Sequence, residues 1–351
     1  MKSVARMALE AGMILGEDVY SYQNVLVAKE NTVVDNPLIA KLARYSIMCV
    51  SIKEPADMEV TRYERVRASK SFKNFEAAYE KNLKAYKYMI DDFLKKQTPV
   101  NPTFLLQLHD NIRKSIGSGE QLLDMLCYLQ PREDTLTYAH CLNSALIGNV
   151  FGTWLSLPED DLKTLTLCGF FYDIGELKLP HRLIWKQDKL NEFEYNWLKT
   201  HTTLGYELVK DQDLNTHIKN CTLLHHERCD GSGYPKKRKG EEIDRFSKYI
   251  AIVDSYGAMT SDRAFRDSLT PFQVIDNFEK QGFEKYDAIP LQLILKKIAY
   301  AQSGKHVRLS DGTEADVSLI NEDKLSSPVV KSKETIIDLR QYPSLEISAF
   351  L

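Results

Sequence analysis

The sequence predicts a mainly α fold: a helical bundle preceded by a small mixed α/β domain and followed by a short strand-rich tail. Three observations predict it. Apolar residues recur at helical spacing from Phe72 onward, alternating stretches are confined to the first 60 residues and to the tail after His306, and histidines and aspartates are spread through the helical part. Residues 131 to about 301 stay helical between irregular loops, as an all-helical metal-site bundle requires.

Residues 1–60 form the small mixed domain. Gly12-Met13-Ile14-Leu15, Val19-Tyr20-Ser21-Tyr22 and Val25-Leu26-Val27-Ala28 read as strands separated by polar turns, followed by a short helix and a last strand near Ile47 to Ile52. Residues 61–130 are helical, through Phe75, Tyr79, Leu83 and Tyr86, then Phe104 to Ile116 and Glu120 to Leu129, and lead into the bundle. Residues 131–301 stay helical, with loops near Pro158, Pro180 and the glycine-rich stretch after His226. Residues 302–351 return to alternation at Val307-Arg308-Leu309, Val317-Ser318-Leu319-Ile320 and Thr335-Ile336-Ile337-Asp338-Leu339, with Asp311-Gly312 as a turn.

Composition narrows the function classes. With 351 residues and 43% hydrophobic content, the chain can bury one sizeable core and small appendages. A net charge of -3, from 46 basic and 49 acidic residues, gives no general nucleic-acid surface, so DNA binding is not expected. No apolar run approaches the roughly 20 residues that span a bilayer, and the N-terminus lacks a signal-peptide pattern, so a cytoplasmic protein without membrane insertion is expected. The six cysteines show no C-x-x-C spacing, and disulfides are not expected.

The most informative stretch is His225-His226-Glu227-Arg228-Cys229-Asp230-Gly231-Ser232-Gly233-Tyr234-Pro235. Adjacent imidazoles are costly to bury unless something uses their lone pairs, and the Gly-x-Gly-Tyr-Pro run supplies a loop that bends tightly beside them. Residues able to complete a His/Asp cluster are His140, Asp173 in Tyr172-Asp173-Ile174-Gly175-Glu176, His201, and Asp254 in Ile252-Val253-Asp254-Ser255-Tyr256. In this order the series resembles the HD-GYP family of bacterial HD-domain phosphohydrolases, whose members cleave cyclic di-GMP at a metal centre. The resemblance runs from about Asp134 to Ala301. Its most specific parts are the GYP segment, the run from Ala251 to Arg266, and Leu183-Ile184-Trp185-Lys186 followed by Leu190, Glu194 and His201.

Two departures stand out. Where the family carries a His-Asp pair followed three residues later by lysine, this chain has Tyr172-Asp173 and then Glu176. Leu136 stands where some members carry a glutamate, so a third metal ion is not expected.

The resemblance implies two divalent ions, iron or manganese, with one site weakened. Asp173 would bridge them. His140 and Asp254 would serve the ion that the missing histidine also served, and His201, His225 and His226 would serve the other. Imidazole and carboxylate donors suit such ions. Tyr172 would replace the lost ligand only as a phenolate, from an unperturbed pKa of about 10; otherwise it packs with Phe170 and Phe171. Asp173 and Glu176 are the candidate catalytic residues. An acid in place of lysine turns attraction for a phosphate into repulsion, about 4 kcal/mol for like charges roughly 4 Å apart at an effective dielectric of about 20. Glu176 has two further readings, as a carboxylate lent to the weakened metal site or as a solvated helix-face residue. Arg263, Arg266, Lys186 and Tyr234 are the candidate substrate contacts.

The expected function is a metal-dependent phosphodiesterase hydrolysing cyclic di-GMP in bacterial second-messenger signalling. Tyr172 and Glu176 keep open a catalytically weak relative that binds nucleotide or a partner protein as a signalling scaffold, and a di-iron oxygenase on the same scaffold is a third class. The expected partners are a cyclic dinucleotide, a signalling protein at the GYP loop, and a second copy through the helices between residues 72 and 130.

Overall fold

The computed structural model describes the chain except for residues 1, 24, 54–61, 131, 187, 261–268 and 334. The chain divides into two compact units, Met1–Arg65 and Val66–Leu351.

In the first unit, strand Lys2–Ala5 pairs antiparallel with Cys49–Ile52, and Val19–Tyr20 pairs with Leu26–Ala28. Helix Asn36–Arg44 starts where the Asp35 side chain accepts from the Leu38 amide, with Pro37 in the first turn, where its missing N–H is no loss. Leu15, Val34 and Leu42 are fully buried at its centre. The strand expected at Gly12–Leu15 does not form. Gly12 turns the chain with a φ of 98°, leaving only isolated bridges from Ile14 to Val33 and from Leu15 to Ile52.

The second unit opens on helix Lys70–Lys96, followed by Pro102–Arg113 and Gly119–Leu126. Phe72, Phe75, Tyr79, Leu83, Tyr86, Ile90 and Phe93 fall three or four apart and are all buried, so the long helix keeps one face in the core. The Ser69 side chain caps it by accepting from the Phe72 amide. Helices Leu136–Trp154 and Glu159–Phe171 form a central pair, Leu142, Ala145 and Leu146 meeting the same core as Leu165, Cys168 and Phe170. Each fully buried Leu or Phe contributes about 1.5–3 kcal/mol relative to exposure. Helices His201–Val209, Thr216–Leu224 and Arg245–Thr260 complete the frame around the site, and Pro271–Gln281 and Ala288–Tyr300 follow.

The C-terminal strands form one antiparallel sheet in the order Thr335–Asp338, Val329–Ser332, Glu314–Leu319, His306–Leu309 and Ile347–Phe350. Val307, Val317, Val330 and Ile347 on its inner side belong to the same core as the helices. The Asp311-Gly312 turn forms as expected, with Gly312 at a φ of 89° and the Asp311 carboxylate accepting from the Thr313 amide. Among the described residues no helix is long and apolar enough to cross a membrane, and the six cysteines are free thiols.

Candidate metal centre

Six side chains converge inside the second unit. His140 lies in the first turns of helix Leu136–Trp154, Asp173 just past the end of Glu159–Phe171, and His201 at the head of its own helix. His225 and His226 follow helix Thr216–Leu224, and Asp254 sits within Arg245–Thr260. They form two donor sets that share one residue: Asp173, His201, His225 and His226; and His140, Asp173 and Asp254. Within each set the donor atoms lie within 4.8 Å of one another.

Local sequence explains the convergence. A Cβ on Gly175 would lie 1.9 Å from the His201 carbonyl oxygen and 2.5 Å from the Gly205 nitrogen, so only glycine lets the turn after Asp173 press against the His201 helix. Asp173 Oδ1 consequently sits 3.2 Å from His201 Nε2 and 3.4 Å from His225 Nε2, while its Oδ2 is 3.6 Å from His140 Nε2. The loop after His226 is pinned in a similar way. A Cβ on Gly233 would fall 2.4 Å from both the Arg228 nitrogen and the His226 oxygen. Buried Glu227 accepts from the amides of Lys236 at 2.6 Å and Arg238 at 2.9 Å, which satisfies its carboxylate and fixes the loop. Tyr234 then stacks on His226 with ring centroids 4.6 Å apart, and its bond to Pro235 is cis.

The donor chemistry fits a metal. His201 Nδ1 donates to the Leu198 carbonyl at 2.7 Å and His225 Nδ1 to the Cys221 carbonyl at 2.8 Å. A carbonyl only accepts, so both Nδ1 atoms carry protons and each ring turns its Nε2 inward as the atom available to ligate. The two Nε2 atoms face each other at 3.2 Å, and buried Asp173 Oδ1 has no hydrogen-bond partner of good geometry. Two facing imidazole nitrogens and an orphaned carboxylate oxygen are what a cation would satisfy. Burial raises the Asp173 carboxyl pKa, but His225, His201 and His140 outweigh it and hold the group low; for Asp254 the burial cost is outweighed by His140 and His226. Burial pushes His201 and His226 down, favouring the neutral rings that ligate.

Tyr172 packs in the same core as Phe170 and Phe171, as expected, and also meets the centre. Fully buried, it hydrogen-bonds Ser144 Oγ at 3.0 Å and donates to Asp254 Oδ1 at 3.3 Å, while its ring meets His225 edge-on. Burial and the neighbouring Asp254 and Asp173 push its pKa well above the usual value, in keeping with a phenol that donates to Asp254. Glu176 lies to one side of the two donor sets. It belongs to neither donor set and accepts from Thr137 Oγ1 at 3.0 Å. Burial, with Asp173 nearby, raises its pKa to about 8.

The other expected contacts diverge. Lys186 is held by both oxygens of Glu194, at 2.7 and 2.6 Å. Arg263 and Arg266 lie outside the described residues. Beside His140 and Glu176 opens a cavity of about 870 Å³ that Lys186 also lines. Sequence reasoning missed Thr137, Ser144 and Glu227; only Glu227 left a signal, an acid set between a buried histidine pair and a glycine-rich turn.

The helical bundle gathers four imidazoles and two carboxylates around one shared aspartate, and residues 129–289, which contain all six, match the family model described as HD domain. The histidine pair and the pinned Gly-Tyr-Pro loop lie inside that match, and the chain is similar to the following relatives. It is 27% identical over 212 residues to the cyclic di-GMP phosphodiesterase PdeB of Borreliella burgdorferi, covering 59% of this chain and 55% of that one. It is 24% identical over 252 residues to a cyclic di-GMP phosphodiesterase of Thermotoga maritima, covering 70% and 64%. It is 34% identical over 143 residues to the 3'3'-cGAMP-specific phosphodiesterase 1 of Vibrio cholerae, covering 40% and 32%. The chain thus matches less than two thirds of the length of each of these relatives.

Proposed function

We propose that this chain is a metal-dependent phosphodiesterase that hydrolyses a cyclic dinucleotide, with cyclic di-GMP as the first candidate. The observation that carries the reading is the pair of donor sets sharing Asp173. His140, Asp173 and Asp254 would hold one divalent ion and Asp173, His201, His225 and His226 a second, iron or manganese by donor type. Such a pair activates water for in-line attack and offsets the charge of the phosphoryl group.

The chain's own residues do the rest. The Leu198 and Cys221 carbonyls aim two imidazoles, and Tyr172 donates to Asp254 Oδ1. Tyr234, stacked on His226, closes the loop side of the centre. Lys186 would reach a substrate phosphate by exchanging Glu194 for it. The absence of a membrane-crossing helix among the described residues and the six free thiols support a cytoplasmic setting. A homodimer through residues 72–130 and a signalling partner at the GYP loop remain separate parts of the reading, testable by sedimentation and pull-down.

Turnover decides the proposal. Protein reconstituted anaerobically with Fe(II) or Mn(II) should convert cyclic di-GMP to linear dinucleotide or GMP, read by chromatography, and Asp173→Ala should not. Preference for 3'3'-cGAMP in the same assay would move the substrate. Binding without product would favour the scaffold reading, for which the observation is Glu176 in place of the family lysine beside the cavity.

A further inference from the structure

The cavity beside the centre has a wall that the HD domain does not supply. The domain match begins at residue 129, yet Tyr79, Leu83, Lys84 and Lys87 of helix Lys70–Lys96, together with Leu126, line the cavity along with His140 and Glu176. Two hydroxyls fix that helix to the site helices: Tyr79 donates to Asn143 Oδ1 at 2.7 Å, and fully buried Tyr86 donates to the Phe170 carbonyl. The wall is therefore part of the rigid frame, with no lid required to form it. Trp185, half-buried at the end of the His181–Ile184 turn, lines the same cavity, and His181 stacks against it with ring planes 19° apart.

The lining has the character of a flat-ring site. Leu83, Leu126, Leu129 and Leu136 give it apolar walls, Trp185 gives it an aromatic face, and its volume of about 870 Å³ is in the range of small-molecule pockets. Charge is available at its edge. Glu76 is already paired with Arg67 at 3.0 Å, whereas exposed Lys84 makes no ion pair among the described residues. We infer that this cavity is the nucleobase pocket of the substrate, with Trp185 as its stacking surface and helix Lys70–Lys96, from outside the HD domain, as its outer wall. The inference rests on the reading of the ligand as a cyclic dinucleotide: a phosphate at the His140 end leaves an attached base to enter the cavity, and Lys84 on its wall is available to the second phosphate, which a simple diester lacks. Base–aromatic stacking is sequence-tolerant and strong enough for its loss to be read.

The test uses the full chain loaded with Mn(II) and two substrates, cyclic di-GMP and methyl 4-nitrophenyl phosphate, a diester without a base. Trp185→Ala and Lys84→Glu should each lower the ratio of kcat/KM for cyclic di-GMP over the small diester by about tenfold, mainly through KM, and Trp185→Phe should restore most of the loss. Lys84 is exposed, so its variant keeps the test valid if removal of Trp185 disturbs folding. An unchanged ratio in both variants overturns the pocket and leaves the phosphodiesterase reading intact. If the wild type turns over neither substrate, the activity reading fails, and equilibrium dialysis of cyclic di-GMP against the same proteins decides the pocket. Weaker binding by both variants then supports it; equal binding, or none by the wild type, overturns it.

Discussion

The two halves of the centre share Asp173 but are held by different means. In the four-donor half, His201 and His225 are 2% and 0% exposed in their side chains, and backbone carbonyls fix both rings. In the three-donor half, His140 and Asp254 are 19% and 13% exposed and orient each other across 3.2 Å, with Tyr172 as a further donor to Asp254. Backbone anchors keep Nε2 aimed whether or not a metal is bound, so little reorganisation accompanies binding. Side-chain anchors can exchange partners. Tyr172 stands on the side where a carboxylate accepts its hydrogen bond, and the difference teaches that the four-donor half should load first and the three-donor half set the limit on chemistry.

Removing the shared residue should have the largest effect. Asp173→Ala should empty both halves and lower turnover by ~10³-fold or more, equivalent to about 4 kcal/mol of barrier, with metal content by mass spectrometry falling in parallel. Separating the halves comes next. His225→Ala should weaken the first-loading ion by at least ~100-fold, whereas His140→Ala should leave that ion in place and remove only the weaker one; equal losses in a metal titration would erase the proposed order. Chelation should then lower Tm by several degrees, because an ion at about 100 times its Kd adds roughly 2.7 kcal/mol to the folded state; a Tm indifferent to chelator would mean the donor sets are empty under the assay conditions. Tyr172 carries the smallest effect. Tyr172→Phe should cost about 1 kcal/mol of stability in denaturant unfolding through the lost hydrogen bonds, and Tyr172→His should tighten the second ion by ~10-fold or more.

The residues of the two donor sets were legible because imidazole and carboxylate types carry chemistry in their identity. Their supports were less so. The bonds from Tyr172 to Ser144 and Asp254 span 28 and 82 residues, a separation that local pattern does not encode. Nor does sequence show that burial raises the Glu176 pKa. Helices were readable wherever one face alternates with solvent, as in Lys70–Lys96, but the same pattern did not reveal that Leu83 and Lys84 face a cavity. Strands Lys2–Ala5, Val329–Ser332 and Ile347–Phe350 went unread because each is four residues long and is made by partners elsewhere in the chain.

The most direct test of the shared-aspartate centre is anomalous X-ray diffraction from crystals loaded with Mn(II). The account predicts two peaks about 3.5–4 Å apart on either side of Asp173. The stronger should lie against His201, His225 and His226, and the weaker against His140 and Asp254. A single peak away from Asp173, or no peak at protein saturated with metal in solution, would contradict it.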